Sequence, residues 1–104
     1  MSTIRGAIVQ LTGGNVRNSH FYLRDMPWLP QDVIGGANVE EKANRSLSVH
    51  FSSGQSVLTD IAGDKMILRE RSAVREFFNA IDASEGTRIV VELTSPYELS
   101  VSKR

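Results

Sequence analysis

In Arg45-Ser46-Leu47-Ser48-Val49-His50-Phe51, apolar Leu47, Val49 and Phe51 alternate with polar Ser46, Ser48 and His50. Successive side chains of a β-strand point to opposite faces, so the alternation predicts a strand with one buried and one wet face. Ser52-Ser53-Gly54 then reads as a turn, and Val57, Thr59 and Ile61 resume the alternation, which makes a hairpin. Ala62-Gly63-Asp64 predicts another turn before Met66-Ile67-Leu68-Arg69. Near the C-terminus Ile89, Val91 and Leu93, then Tyr97, Leu99 and Val101, bracket a turn at Ser95-Pro96.

Between these hairpins the period changes. Val74, Phe77, Phe78 and Ile81 fall at i, i+3, i+4 and i+7, one stripe of an α-helix, with Ser72 in the position of an N-cap. The stripe is expected to cover an open barrel end. Upstream, Ala7, Val9 and Leu11 predict a first strand, Thr12-Gly13-Gly14-Asn15 a turn or loop, and His20-Phe21-Tyr22-Leu23-Arg24 a second strand. Leu29-Pro30-Gln31-Asp32-Val33-Ile34-Gly35-Gly36 reads as a short helix, with Pro near its start and Gly past its end. The expected fold is mainly β with two helices, ordered ββ-α-βββ-α-ββ. Seven strands joined by short turns favour a small barrel or pseudobarrel, whose closure protects strand edges.

The 104 residues suit one domain, expected over residues 1–104. A composition of 40% apolar and 23% charged residues excludes a disordered chain, and the core must hold without disulfides because there is no cysteine. No window approaches a membrane span, and residues 1–10 lack the pattern of a secretory signal, so a cytoplasmic location and no membrane partner are expected. Asn44-Arg45-Ser46 fits a glycosylation sequon, a three-residue match given no weight without an export signal. Twelve cationic and twelve acidic side chains give zero net charge, so nucleic-acid binding would have to rest on a local patch. The charges are unevenly spread. Residues 13–24 hold Arg17, Arg24 and His20 without a carboxylate; residues 65–75 hold Lys65, Arg69, Arg71 and Arg75 against Glu70 alone; and residues 76–98 are acidic.

Two histidines 30 residues apart and no cysteine do not make a zinc site, and no cofactor is expected. Neither G-x-S-x-G nor a phosphate-binding glycine loop occurs. Glu40-Glu41-Lys42 after Asp32 is too loosely spaced for a metal-dependent nuclease and reads as a solvated loop, and His50 as a solvated strand histidine. The chain is therefore expected not to be an enzyme; a hydrolase built on His20 with a nearby acid would need a pocket and a perturbed pKa. The remaining feature is Asn15-Val16-Arg17-Asn18-Ser19-His20, rich in groups that hydrogen-bond base edges or phosphates. Its plainer reading is a polar loop.

Here the order of elements resembles the DNA-binding pseudobarrel family, which includes the plant transcription-factor domain of B-three type and the N-terminal effector-binding domain of the EcoRII restriction enzyme. His20–Arg24 followed by Leu29–Gly36 resembles the family's second strand and first helix. Val74-Arg75-Glu76-Phe77-Phe78, then Glu85-Gly86-Thr87-Arg88-Ile89-Val90-Val91, is similar to its second helix, turn and sixth strand. The chain departs from the family at Ser72-Ala73, where many members have Gly-Trp, and at Gly86-Thr87, where they have Gly-Asp. The resemblance implies a sequence-specific module for double-stranded DNA, as in transcription regulation, gripping the major groove with two loop arms and without catalysis. Asn15, Arg17, Asn18, Ser19 and His20 would form the first arm. Thr59, Asp60, Asp64 and Lys65 would stand in or beside the second, with Arg24, Arg69, Arg71 and Arg75 on phosphates. The alternative is a protein-interaction barrel, a homodimer or accessory subunit of a larger partner, recognisable by an exposed apolar patch around Trp28 and Met26.

Overall fold

Alternation sets the sheet. In a computed structural model, which describes residues 5–104, Leu47, Val49 and Phe51 of β3 (Leu47–Phe51) point into the core while His50 faces solvent. The turn at Ser52–Gly54, where Gly54 has φ +111°, returns the chain into antiparallel β4 (Ser56–Thr59). Ile89, Val91 and Leu93 of β7 (Arg88–Ser95) and Leu99 and Val101 of β8 (Glu98–Lys103) bury the same face. With β1 (Gly6–Gln10) these strands form a five-stranded sheet ordered β1-β7-β8-β3-β4. Its pairs are antiparallel except β3 with β8, which run parallel.

A second sheet of three short strands, ordered β2-β5-β6, is built from β2 (Ile34–Gly35), β5 (Ile61–Ala62) and β6 (Ile67–Leu68). The predicted strand over Val57–Ile61 is thus split at Asp60, where the chain passes from one sheet to the other. β2 and β5 run parallel and close together. A Cβ on Gly35 would stand 2.5 Å from the Glu41 carbonyl oxygen and 2.6 Å from the Ala43 nitrogen, so only glycine fits.

The predicted helix is α2 (Arg71–Ala80), with Val74, Phe77 and Phe78 buried and the Phe77 ring 5.1 Å from that of Phe51. Its N-cap is Glu70 rather than Ser72: the Glu70 carboxylate accepts from the Ser72 backbone N–H and hydroxyl. Gln55 Nε2 donates to the Ala73 carbonyl at 2.7 Å and ties the β3–β4 turn to the helix.

Three expectations are corrected. Thr12–Asn15 opens a helix, α1 (Gly13–Asn18), because Thr12 and Asn15 form a reciprocal capping box. His20–Arg24 is extended but belongs to neither sheet, although Phe21 and Leu23 point inward and Tyr22 and Arg24 outward as alternation required. Leu29–Gly36 is a 3-10 turn over Gln31–Val33 running into β2. The described order is β-α-βββββ-α-ββ, with eight strands in place of seven, and the two sheets do not join into one closed barrel. Among the described residues no helix is long and apolar enough to cross a membrane.

Candidate nucleic-acid interface

Two contacts bring the distant cationic segments together. The Leu23 N–H donates to the Met66 carbonyl at 2.7 Å, pinning the extended segment 20–24 beside the turn that carries Lys65. The Arg75 Nε of α2 donates to the Ser19 hydroxyl at 3.5 Å, linking α2 to the end of α1. Ser19 there takes the left-handed conformation, φ 54° and ψ 50°, and its backbone N–H closes the helix on the Val16 carbonyl at 3.4 Å. The next N–H, of His20, reaches the Asn15 carbonyl. The chain thereby turns from α1 into the extended segment.

Between them lies a hollow of about 310 Å³ walled by Asn15 and Asn18 of α1, His20, Tyr22, Lys65 and Arg71. None of the residues lining it is acidic. A second hollow of about 360 Å³ shares Thr12, Asn15 and Tyr22 with the first and extends it past Arg24 toward β1, with the Asp25 carboxylate on its wall beside Arg24. Along this groove the Arg24 guanidinium lies 4.0 Å from the Tyr22 ring centroid, and the His20 ring stands 5.1 Å beyond it. The three groups sit at i, i+2 and i+4 of one extended segment, so the backbone spacing itself produces the row.

His20 is only 8% exposed, and its Nδ1 has no hydrogen-bond partner. Burial, then the positive charges of Arg71 and Lys65, hold its pKa below the usual 6.5, so the imidazole is neutral at neutral pH. The pocket and the perturbed pKa named for a His20-based site are thus both present, and no carboxylate lines the first hollow. In Asn15 the side-chain oxygen is engaged by the Thr12 N–H at 2.9 Å, while Asn18 is exposed and donates to the Gly14 carbonyl at 3.0 Å.

Other expected site residues lie elsewhere. Arg17 lines neither hollow, its Nη1 and the Glu85 carboxylate both 3.0 Å from where a Gly13 Cβ would stand. Asp60 is buried, not free to read a base. Its Oδ1 accepts from Arg69 Nε at 2.7 Å, and its Oδ2 from Arg69 Nη2 at 3.0 Å and the Ala43 N–H at 2.8 Å. Arg69 also donates to the carbonyls of Gly36 and Asn38 at 2.8 and 2.9 Å, so it clamps the 36–38 loop rather than offering charge to phosphate. Thr59 serves the same corner, its hydroxyl accepting from the Glu70 N–H at 3.1 Å. Asp64 is exposed beside Lys65 and does not line the groove.

The sheet surface holds one further row. His50 Nδ1 is 2.8 Å from the Ser56 hydroxyl and its Nε2 3.2 Å from Glu98 Oε2, across three adjacent strands. The residue types are those of a nucleophilic triad, but His50 and Glu98 are about half exposed, and the row works as cross-strand pairing. Among the described residues no group of three or more His, Asp or Glu side chains could hold a metal ion. Alternation and charge runs had pointed to His20, Arg24, Lys65 and Arg71. Tyr22 was missed as a wall of the groove, although its outward position two residues after His20 was the signal. The sequence matches no known protein family and is similar to no curated protein.

Proposed function

We propose that this chain is a double-stranded DNA-binding module of the pseudobarrel type, recognising a short duplex sequence and carrying no catalysis of its own. The observation that carries the reading is convergence: segments 12–24 and 65–75 meet at a groove whose first hollow has basic and amide walls and no carboxylate, Asp25 standing only in the adjoining one. Lys65 and Arg71 in that first hollow, Arg24 in the adjoining one and Arg75 beside Ser19 are exposed and suit phosphates. The exposed Asn18 offers a group that suits base edges, and the buried Asn15 and His20 shape the wall behind it. Zero net charge is no obstacle, because the acidic side chains lie outside that hollow and the field that matters is local.

Salt dependence tests it. Four cations neutralising four phosphates give a slope of about −3.6 in log affinity against log salt, so binding falls about 150-fold between 50 and 200 mM. A gel-shift or anisotropy series on random duplexes, then on selected sites, measures this. No salt-dependent binding at micromolar protein overturns the proposal.

A second reading has its own observation. β4 is an edge strand, and its Leu58 and the neighbouring Val39 are 71% and 68% exposed, the kind of apolar surface a protein partner covers. The patch expected around Trp28 and Met26 is absent: Met26 is buried and Trp28 packs partly buried against the core.

A further inference from the structure

The hollow walled by His20, Lys65 and Arg71 has a property that a general basic groove does not require. It sets a nearly buried imidazole, its Nδ1 unpartnered, on the same walls as two exposed cations and no carboxylate. Two cations with no carboxylate facing them across the hollow attract an anion, and the His20 ring that lines the same hollow becomes a further donor once it is protonated. Asn18 and the Asn15 side chain add neutral polar groups on the α1 wall. A phosphate group fits this set: it is compact, it carries one to two negative charges, and its several acceptor oxygens match Lys and Arg donors.

We infer that this hollow is a discrete phosphate-binding site, in which Lys65, Arg71 and His20 together hold one phosphate group, either of a nucleic-acid backbone or free in solution. The inference rests on the proposed DNA-binding reading for its backbone source, but the site stands or falls on its own chemistry. Lys65 comes from the β5–β6 turn, Arg71 from the first turn of α2 and His20 from the extended segment, so the fold must be complete for the site to exist. Binding is linked to a proton. In the empty site the facing charges, Arg71 and Lys65, oppose a third positive charge on His20, and the remaining aromatic neighbour, Tyr22, supplies none. A phosphate reverses that balance and favours the imidazolium, which becomes a donor to it. Occupancy therefore favours uptake of a proton by His20.

The test is a pH titration of the two histidine rings by NMR in the full chain, in sodium phosphate and in sodium chloride of equal ionic strength. His50 lies on the sheet surface beside Glu98 and serves as the internal reference. The expected result is a rise of about one unit in the His20 midpoint in phosphate, with His50 unmoved. Arg71→Gln and Lys65→Gln should each raise the His20 midpoint in chloride, by removing a facing positive charge, and each should cancel the further rise in phosphate. Equal His20 midpoints in the two salts overturn the site, as does a rise that survives in both variants.

A parallel duplex-binding assay separates the sources. Phosphate that shifts His20 and also competes with duplex supports a backbone site. A phosphate response with no duplex binding supports the site with a free phosphate group as its ligand and overturns the DNA reading. Duplex binding without any phosphate response overturns the site alone.

Discussion

Removing the Arg69 side chain, as Arg69→Ala, should cost more stability than any other single surface-to-core change in the second sheet. Arg69 and Asp60 have side chains only 12% and 8% exposed, and the pair is joined at 2.7 Å and 3.0 Å. Without the guanidinium, the Asp60 carboxylate keeps only the Ala43 N–H, and the carbonyls of Gly36 and Asn38 lose their donors. Breaking one side of such a pair costs about 3–5 kcal/mol, which in a domain of this size is a fall in Tm of at least about 12 °C. Thermal and urea unfolding followed by circular dichroism measure it. Burial raises the Asp60 pKa, but hydrogen bonds from Arg69 and the Ala43 N–H outweigh it, so the net value lies below the usual 3.8. A folded pKa below the unfolded one contributes stability that is present above 3.8 and lost as pH falls through the lower folded value. The difference between wild type and Arg69→Ala should therefore be full at pH 7 and shrink below pH 3.8. A variant within about 1 kcal/mol of wild type at pH 7 would refute the clamp, since exposed ion pairs contribute no more than that.

Thr12→Ala breaks the capping box of α1, and should lower stability by about 1 kcal/mol in urea unfolding while also weakening duplex binding, because α1 walls the groove. Unchanged binding would show that α1 is not an arm. Gly35→Ala forces a methyl against the Glu41 carbonyl and should cost at least about 1–3 kcal/mol, read as a lower urea midpoint. Leu58→Lys, on the exposed face of the edge strand, should change stability by less than about 0.5 kcal/mol and leave duplex affinity intact. If sedimentation shows a dimer in wild type and a monomer in this variant, the protein-interaction reading gains over DNA binding.

The legible parts of the fold were those where one period dominates: the alternation of β3, β7 and β8 and the helical stripe of α2 each correspond to a buried face. What escaped was decided by contacts distant in the chain. Phe21 and Leu23 alternate as in a strand, yet the segment makes its backbone contact to Met66 rather than joining a sheet. In α1 the glycine pair suggested a turn, while the capping signal of Thr12 and Asn15, three residues apart, was local and readable. The charges of Asp60 and Arg69 look alike in sequence to those of Asp64 and Lys65. Only their burial beside the 36–38 loop shows that the first two are engaged with each other. Lys65 and Arg71 meet His20 because of the Met66 carbonyl, a backbone atom whose partner no pattern of side chains announces.

The parallel pairing of β3 with β8 places β8, the final strand of the described order, in the middle of its sheet. Without it the ladder falls into two separate pairs, β1 with β7 and β3 with β4, each too small to persist in water. Folding should therefore resemble closing an arch: the two flanks hold only once the central piece, about 50 residues removed from its β3 neighbour, is seated. Refolding of this chain should be governed by that late long-range closure and be slower than its size alone suggests. A chain cut after residue 95, between β7 and β8, should regain order when a synthetic peptide carrying residues 96–104 is supplied in trans.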